Sequence, residues 1–205
     1  SFYENKCYNR GCKYICGIDE VGRGPLAGPV VAAAVILKKD SYFEGLNDSK
    51  KLSEKKREEL YDKIRNEAVA YAICEVNNEE IEKYNIYNAA RIAMQRAVEK
   101  LDVKPDFLLI DAMPFENYPI PNYSMVKGDE KSVSIAAASV IAKVYRDNLM
   151  KKYASKYPYY DFENNAGYGT KKHLEGLRKY GITPIHRRDF EPIKSMIKRG
   201  GNNGQ

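Results

Sequence analysis

Two apolar stretches organise the front of this chain. Residues 29–37, PVVAAAVIL, and residues 14–19 read as buried strands, with Gly and Pro clustered between them at 22–28 in the spacing of a hairpin-like pair. Residues 68–76 resemble a third strand, residues 107–110 form an apolar strand that ends at Asp111, and residues 123–126 are a shorter candidate leading into Lys127-Gly128-Asp129. Helical spacing fills the gaps. Ser53 is a plausible N-cap for a charged helix to about residue 66, with Leu60, Tyr61 and Ile64 as its stripe. Ile86, Ala89, Ala90, Ala93, Met94, Ala97 and Leu101 predict a helix over 85–101, stopped before Pro105. A long apolar helix is expected from 132 to about 153, then one from about 171 to 180 and a last one from near 190, with 200–205 frayed. Strands first, then helices alternating with strands, predict an α/β fold: a mixed β-sheet flanked by helices. One catalytic domain over 1–205 is expected, with a core at about 13–155 and a helical C-terminal extension at about 156–199.

At 205 residues and 43% hydrophobic content the chain can bury a real core, which excludes a wholly disordered protein. Its apolar runs fall far short of the roughly 20 residues that a membrane span needs. Residues 1–10 lack the basic and then apolar pattern of an export signal, so a soluble, cytoplasmic protein is expected. Cys7, Cys12, Cys16 and Cys74 lack the paired C-x2-C knuckles of a zinc module, and reduced, unligated thiols are the preferred reading. The net charge of +6 permits a polyanionic partner without requiring one.

The candidate chemistry lies in carboxylates at strand ends. Asp19 and Glu20 end the first strand, Asp111 ends a later one, and Asp129 follows a third; open α/β sheets collect their sites at such ends. Asp129 alone serves equally well as a cap for the helix near Ser132. Four carboxylates in one cleft repel one another and need compensation. Hard oxygen ligands suit Mg²⁺ or Mn²⁺, and two such ions roughly 3.5 to 4 Å apart would serve phosphodiester hydrolysis. Asp19 and Glu20 share a site only if the strand bends or ends there, because neighbouring strand residues face opposite ways. Directly after them, Gly22-Arg23-Gly24-Pro25 offers backbone that a ligand can approach closely, either a plain turn or a contact for a phosphate or a ribose 2′-hydroxyl.

The segments GIDEVGRGPLAGP at 17–29, NDSKKLS at 47–53, LID at 109–111, KGD at 127–129 leading into SIAAAS at 134–139, GYGT at 167–170 and HRR at 186–188 together resemble the ribonuclease HII (type 2 ribonuclease H) family over about residues 13–194. The sister type, ribonuclease HIII, typically carries Gly-Lys-Gly where this chain has Gly22, Arg23 and Gly24. The resemblance implies a ribonuclease H-like fold and an endoribonuclease that hydrolyses the RNA strand of RNA/DNA hybrids. It also implies cleavage 5′ of single ribonucleotides embedded in duplex DNA, by two metal ions, leaving a 3′-hydroxyl and a 5′-phosphate, in the service of ribonucleotide excision repair. It carries metal binding and catalysis to Asp19, Glu20, Asp111 and Asp129. Ribose reading falls to Gly22, Arg23 and Gly24, and sugar stacking at the RNA-to-DNA junction to Tyr168.

Lys50 with Ser49 is expected to reach a backbone phosphate, and Lys143, Arg146, Lys171, Lys172, Arg187 and Arg188 are candidates for a basic track along the duplex. His173 reads either as a phosphate contact or as a packed or capping histidine. A monomer is expected, with no membrane partner. Two alternatives stand beside this reading. Another two-metal carboxylate nuclease would cut from an end and would not need a ribose. A non-catalytic nucleic-acid binding module has no use for acids clustered beside its phosphates, because they would weaken binding.

Overall fold

The computed structural model describes residues 1–203, with side chains through residue 200. Strands β1 (Ile15–Val21) and β2 (Val30–Ile36) pair antiparallel, from Cys16 opposite Ile36 to Val21 opposite Val31. The apolar run at 30–37 is buried throughout, because β2 has neighbours on both edges and packed faces on both sides. With β3 (Ala70–Val76), β4 (Phe107–Asp111) and β5 (Asn122–Met125) they form one sheet in the order β3-β2-β1-β4-β5. β4 is parallel to β1 and to β5, so the sheet is mixed, as predicted.

The helices are α1 (Phe2–Asn9), α2 (Glu54–Glu67), α3 (Asn78–Tyr84), α4 (Ile86–Glu99), α5 (Gly128–Lys131), α6 (Val133–Lys156), α7 (Phe162–Asn165), α8 (Lys171–Tyr180) and α9 (Ile193–Asn203), with a 3₁₀ turn at Leu46–Lys51. Ser53 caps α2 by accepting from the Lys56 amide at 3.2 Å, as expected. α1, α3, α5, α7 and the 3₁₀ turn go beyond the sequence reading. α1 has almost no amphipathic pattern; it is tied down instead by buried Glu4, which accepts from the Ser132 hydroxyl at 2.7 Å and the Ser134 amide at 3.0 Å. α9 starts at Ile193, and its backbone runs through Asn203; of the tail expected to fray, Gly204 and Gln205 lie outside the described residues.

The chain divides into two compact units. The first takes residues 1–21, 31–74 and 91–144 and is centred on the sheet. In it α6 comes so close to β1 that a Cβ on Gly17 would sit 2.0 Å from the carbonyl carbon of Ser134, so glycine is the one residue that fits. The second takes residues 22–30, 75–90 and 145 onward, around Leu26, Met150, Tyr160, Phe162, Leu177 and Ile193. No described helix is long and apolar enough to cross a membrane. All four cysteines are free thiols, three of them buried.

Candidate active site

The parallel register of β1 with β4 stops at Ile18 opposite Ile110, so Asp19 and Asp111 each stand one residue beyond the paired stretch of these adjacent parallel strands, at its carboxyl end. Both line a cleft of about 340 Å³ in the first unit, with Glu20, Asp129, Ser49, Lys50, Arg57, Ser139 and Lys143. All four predicted acids therefore meet in one place. β1 neither stops nor breaks its pairing at Glu20; it continues to Val21 opposite Val31, and Glu20 lines the cleft from the last turn of the pleat.

Each acid is held differently. Asp19 is 7% exposed, and its Oδ1 accepts from the Glu20 amide at 2.8 Å. Burial first, then the charges of Asp111, Glu20 and Asp129, push its carboxyl well above the usual range, while the Glu20 amide pulls the other way. Asp111 Oδ1 accepts from the Gly128 amide at 2.8 Å, which ties the end of β4 to α5. Asp129 lies within α5 itself; it is buried, and its Oδ2 meets Lys50 Nζ at 3.0 Å. That hydrogen bond raises the Lys50 ammonium above its ordinary value, although 68% of the side chain is exposed. Ser49 is buried beside it.

The donor set suits a hard divalent cation: carboxylates only, with Asp19 crowded by three like charges and hydrogen-bonded, among the described residues, by a backbone amide rather than a cation. Among the described residues no three His, Cys, Asp or Glu side chains already enclose a cation, and Asp129 is engaged by Lys50. Arg57 is a lining residue that sequence reasoning missed. It sits four residues after the Ser53 cap on a charged helix, where nothing in the pattern separates it from a solvated arginine; its Nη1 donates to Leu52 O at 2.6 Å.

The other predicted site residues belong to the second unit. Gly22 is buried at φ +92°, and a Cβ there would lie 2.3 Å from Arg146 Nε, so this glycine answers to the interior. Arg23 and Gly24 are exposed, and Arg23 lies 6.0 Å from the centre of the Tyr87 ring. Among the described residues no hydrogen bond uses the Gly24 amide. The Tyr168 ring lies against Gly24, 3.1 Å from where a Cβ would stand, and Tyr168 is 47% exposed.

Behind Tyr168, His173 and His186 are buried together with Nε2 atoms 2.9 Å apart. His173 Nδ1 meets the Tyr168 carbonyl at 2.9 Å and must donate; its Nε2 then accepts from His186 Nε2, and His186 Nδ1 accepts from the Thr183 amide. Burial lowers both, His186 to about 3 with a further push from His173. His173 is fully buried and so is the packed histidine of the two readings offered. Arg146 and Arg187 leave the basic track as well, since both are 1% exposed or less; Lys171, Lys172 and Arg188 are exposed, and Lys143 lines the cleft.

Sheet order and helix placement are those of the ribonuclease H-like class. The crystal structure of ribonuclease H2 from Pyrococcus horikoshii matches with a TM-score of 0.78 at 27% identity, covering 91% of this chain and 98% of that one. Within the class, the family model for ribonuclease HII matches residues 16–193. Ribonuclease HII of Macrococcus caseolyticus is 62% identical over 190 residues, 93% of this chain and 71% of that protein; that of Enterococcus faecalis is 59% identical over 197, 96% and 77%. The chain belongs to the ribonuclease HII family. It is an endonucleolytic hydrolase of the ribonuclease H type, in a family that depends on metal ions and acts on RNA/DNA hybrids.

Proposed function

We propose that this ribonuclease H cuts the phosphodiester 5′ of a single ribonucleotide embedded in duplex DNA, as well as the RNA strand of longer hybrids, leaving a 3′-hydroxyl and a 5′-phosphate. Asp19, Glu20, Asp111 and Asp129 hold Mg²⁺ or Mn²⁺. The observation that carries this reading is Asp19, buried among three other acids and hydrogen-bonded, among the described residues, by a backbone amide alone. Divalent cations held by those four carboxylates would supply the charge needed to activate water and to steady the leaving oxygen.

The chain's own groups do the rest. The Gly128 amide orients Asp111 and the Glu20 amide orients Asp19, each by one bond to a carboxylate oxygen. Lys50, exposed and held only through Asp129, exchanges that carboxylate for a substrate phosphate, with Ser49 beside it. The unused Gly24 amide and its neighbours Gly22 and Arg23 meet the ribose 2′-hydroxyl, and Tyr168, resting on Gly24, stacks on the following sugar. The enzyme acts as a monomer in the cytoplasm, removing ribonucleotides from DNA.

The test is a duplex with one embedded ribonucleotide, incubated with Mg²⁺, with Mn²⁺ and with chelator. Cleavage on the 5′ side of the ribonucleotide with either metal, abolished by chelation, is expected. An intact duplex after long incubation with both metals sinks the reading.

A further inference from the structure

Arg146 and Arg187 are 1% and 0% exposed, and neither forms an ion pair with a carboxylate among the described residues, although Asp147 and Asp189 lie near enough to act on their charges. All three nitrogens of each guanidinium instead donate to backbone carbonyls. Arg187 gives Nε to Gly28 O at 3.0 Å, Nη1 to Arg23 O at 2.9 Å and Nη2 to Gly22 O at 2.6 Å. Arg146 gives Nε to Pro29 O at 2.9 Å, Nη2 to Ala27 O at 3.0 Å and Nη1 to Ala166 O at 2.6 Å. Five of the six acceptors lie between residues 22 and 29, and the sixth is two residues before Tyr168.

A peptide unit is rigid and planar, so fixing a carbonyl fixes the amide on its other side. Arg187 on the Arg23 carbonyl therefore sets the direction of the Gly24 N–H, the exposed amide that no described group uses. A second bond to the Gly22 carbonyl sets the Arg23 N–H in the same way. Lysine cannot replace this, because its three donors radiate from one atom and do not span two carbonyls in a plane. Burial lowers both guanidiniums, Arg146 to about 10 and Arg187 to about 9, so both keep their charge at neutral pH and donate from every nitrogen.

We propose that Arg187, seconded by Arg146, is a specificity-positioning residue: without touching substrate, its fork aims the Arg23 and Gly24 amides and so sets how sharply a ribose is told from a deoxyribose. The inference rests on the reading that the residue 22–24 backbone meets the 2′-hydroxyl.

The experiment measures binding in an Asp111→Asn background with Mg²⁺, using duplexes that differ only in one ribonucleotide. The readout is the ratio of the all-deoxy Kd to the ribonucleotide Kd. Arg187→Lys and, in parallel, Arg146→Lys should lower that ratio, Arg187→Lys by roughly three- to tenfold, the scale of one misaligned hydrogen bond, while the all-deoxy Kd stays in place and unfolding remains cooperative. A ratio already near one in the Asp111→Asn parent removes ribose reading itself, and this inference with it. A clear ratio in the parent that survives Arg187→Lys unchanged, or an equal loss of affinity for both duplexes, overturns the positioning role alone. So does loss of cooperative unfolding in both lysine variants, which would make the arginines general scaffold.

Discussion

In the first unit the buried charge at the cleft is negative and in surplus: Asp19 stands among Glu20, Asp111 and Asp129, and Lys50 meets Asp129 from an exposed stem. In the second unit the buried charge is positive and answered in full by carbonyls, through six bonds from Arg146 and Arg187. Both arrangements place ionic groups out of water, which is expensive unless something compensates. Where the protein supplies the compensation, the charge builds a scaffold. Where it leaves a surplus of one sign, the compensation comes from a bound proton, as the raised Asp19 carboxyl shows, or from a cation.

The sharpest way to break that contrast is at the acids. Asp111→Asn keeps the volume and the acceptor for the Gly128 amide but removes a charge, and should cost cleavage on the order of a hundred- to a thousandfold. The metal-free variant should melt no lower than the parent, since repulsion is relieved. A folded Asp111→Asn enzyme with a near-normal rate would show that the surplus has no catalytic use. On the other side, Arg146→Ala strands the carbonyls of Ala27, Pro29 and Ala166 and should lower stability by about 3 to 5 kcal/mol in denaturant titration. A loss under about 1 kcal/mol would mean that the carbonyl cage contributes little beyond surface contacts.

Tyr168→Ala sharpens the contrast further, because it touches recognition without touching buried charge. It should lose roughly five- to a hundredfold in rate on a single embedded ribonucleotide and distinctly less on a continuous RNA strand paired to DNA. Equal losses on both would assign Tyr168 to packing.

The smallest effect is in the histidine pair, where buried bases stay neutral. Their folded pKa values lie below the unfolded value of about 6.5, so the unfolded chain takes up protons first on acidification. The stability they contribute is present above pH 6.5 and is lost as pH falls below it, for His186 down to about 3, by at most about 1.4 kcal/mol per pH unit per histidine. His186→Gln should therefore be less stable than the parent at pH 8 and show a shallower decline between pH 6.5 and 5. A parallel decline would mean that the pair is protonated in the folded state.

The strands were readable because β2 and β4 are apolar without interruption, and the acids because Asp19 and Asp111 close such runs. Ser53 announced α2 by its capping chemistry. What escaped was whatever depends on partners far away in the chain. Glu4 looks like a solvated acid until its bonds to Ser132 and Ser134, some 130 residues on, are known. Arg146 and Arg187 look like a basic track for the same reason: their acceptors are carbonyls, which every residue carries and no motif records. Gly22 is glycine because Arg146 lies beneath it, whereas its position after two acids suggested a plain turn or a ligand contact.

The buried pair of imidazoles also gives the molecule a built-in reporter. The chain has two histidines and both are in this pair, so every imidazole signal in its NMR spectrum comes from the link between Thr183 and Tyr168. The proton shared by the two Nε2 atoms, 2.9 Å apart and sealed from solvent, should resonate far downfield and exchange slowly. Because the same chain of bonds ends on the Tyr168 carbonyl, any ligand that shifts that loop should move this one resonance, which makes it a label-free monitor of substrate binding in the native enzyme.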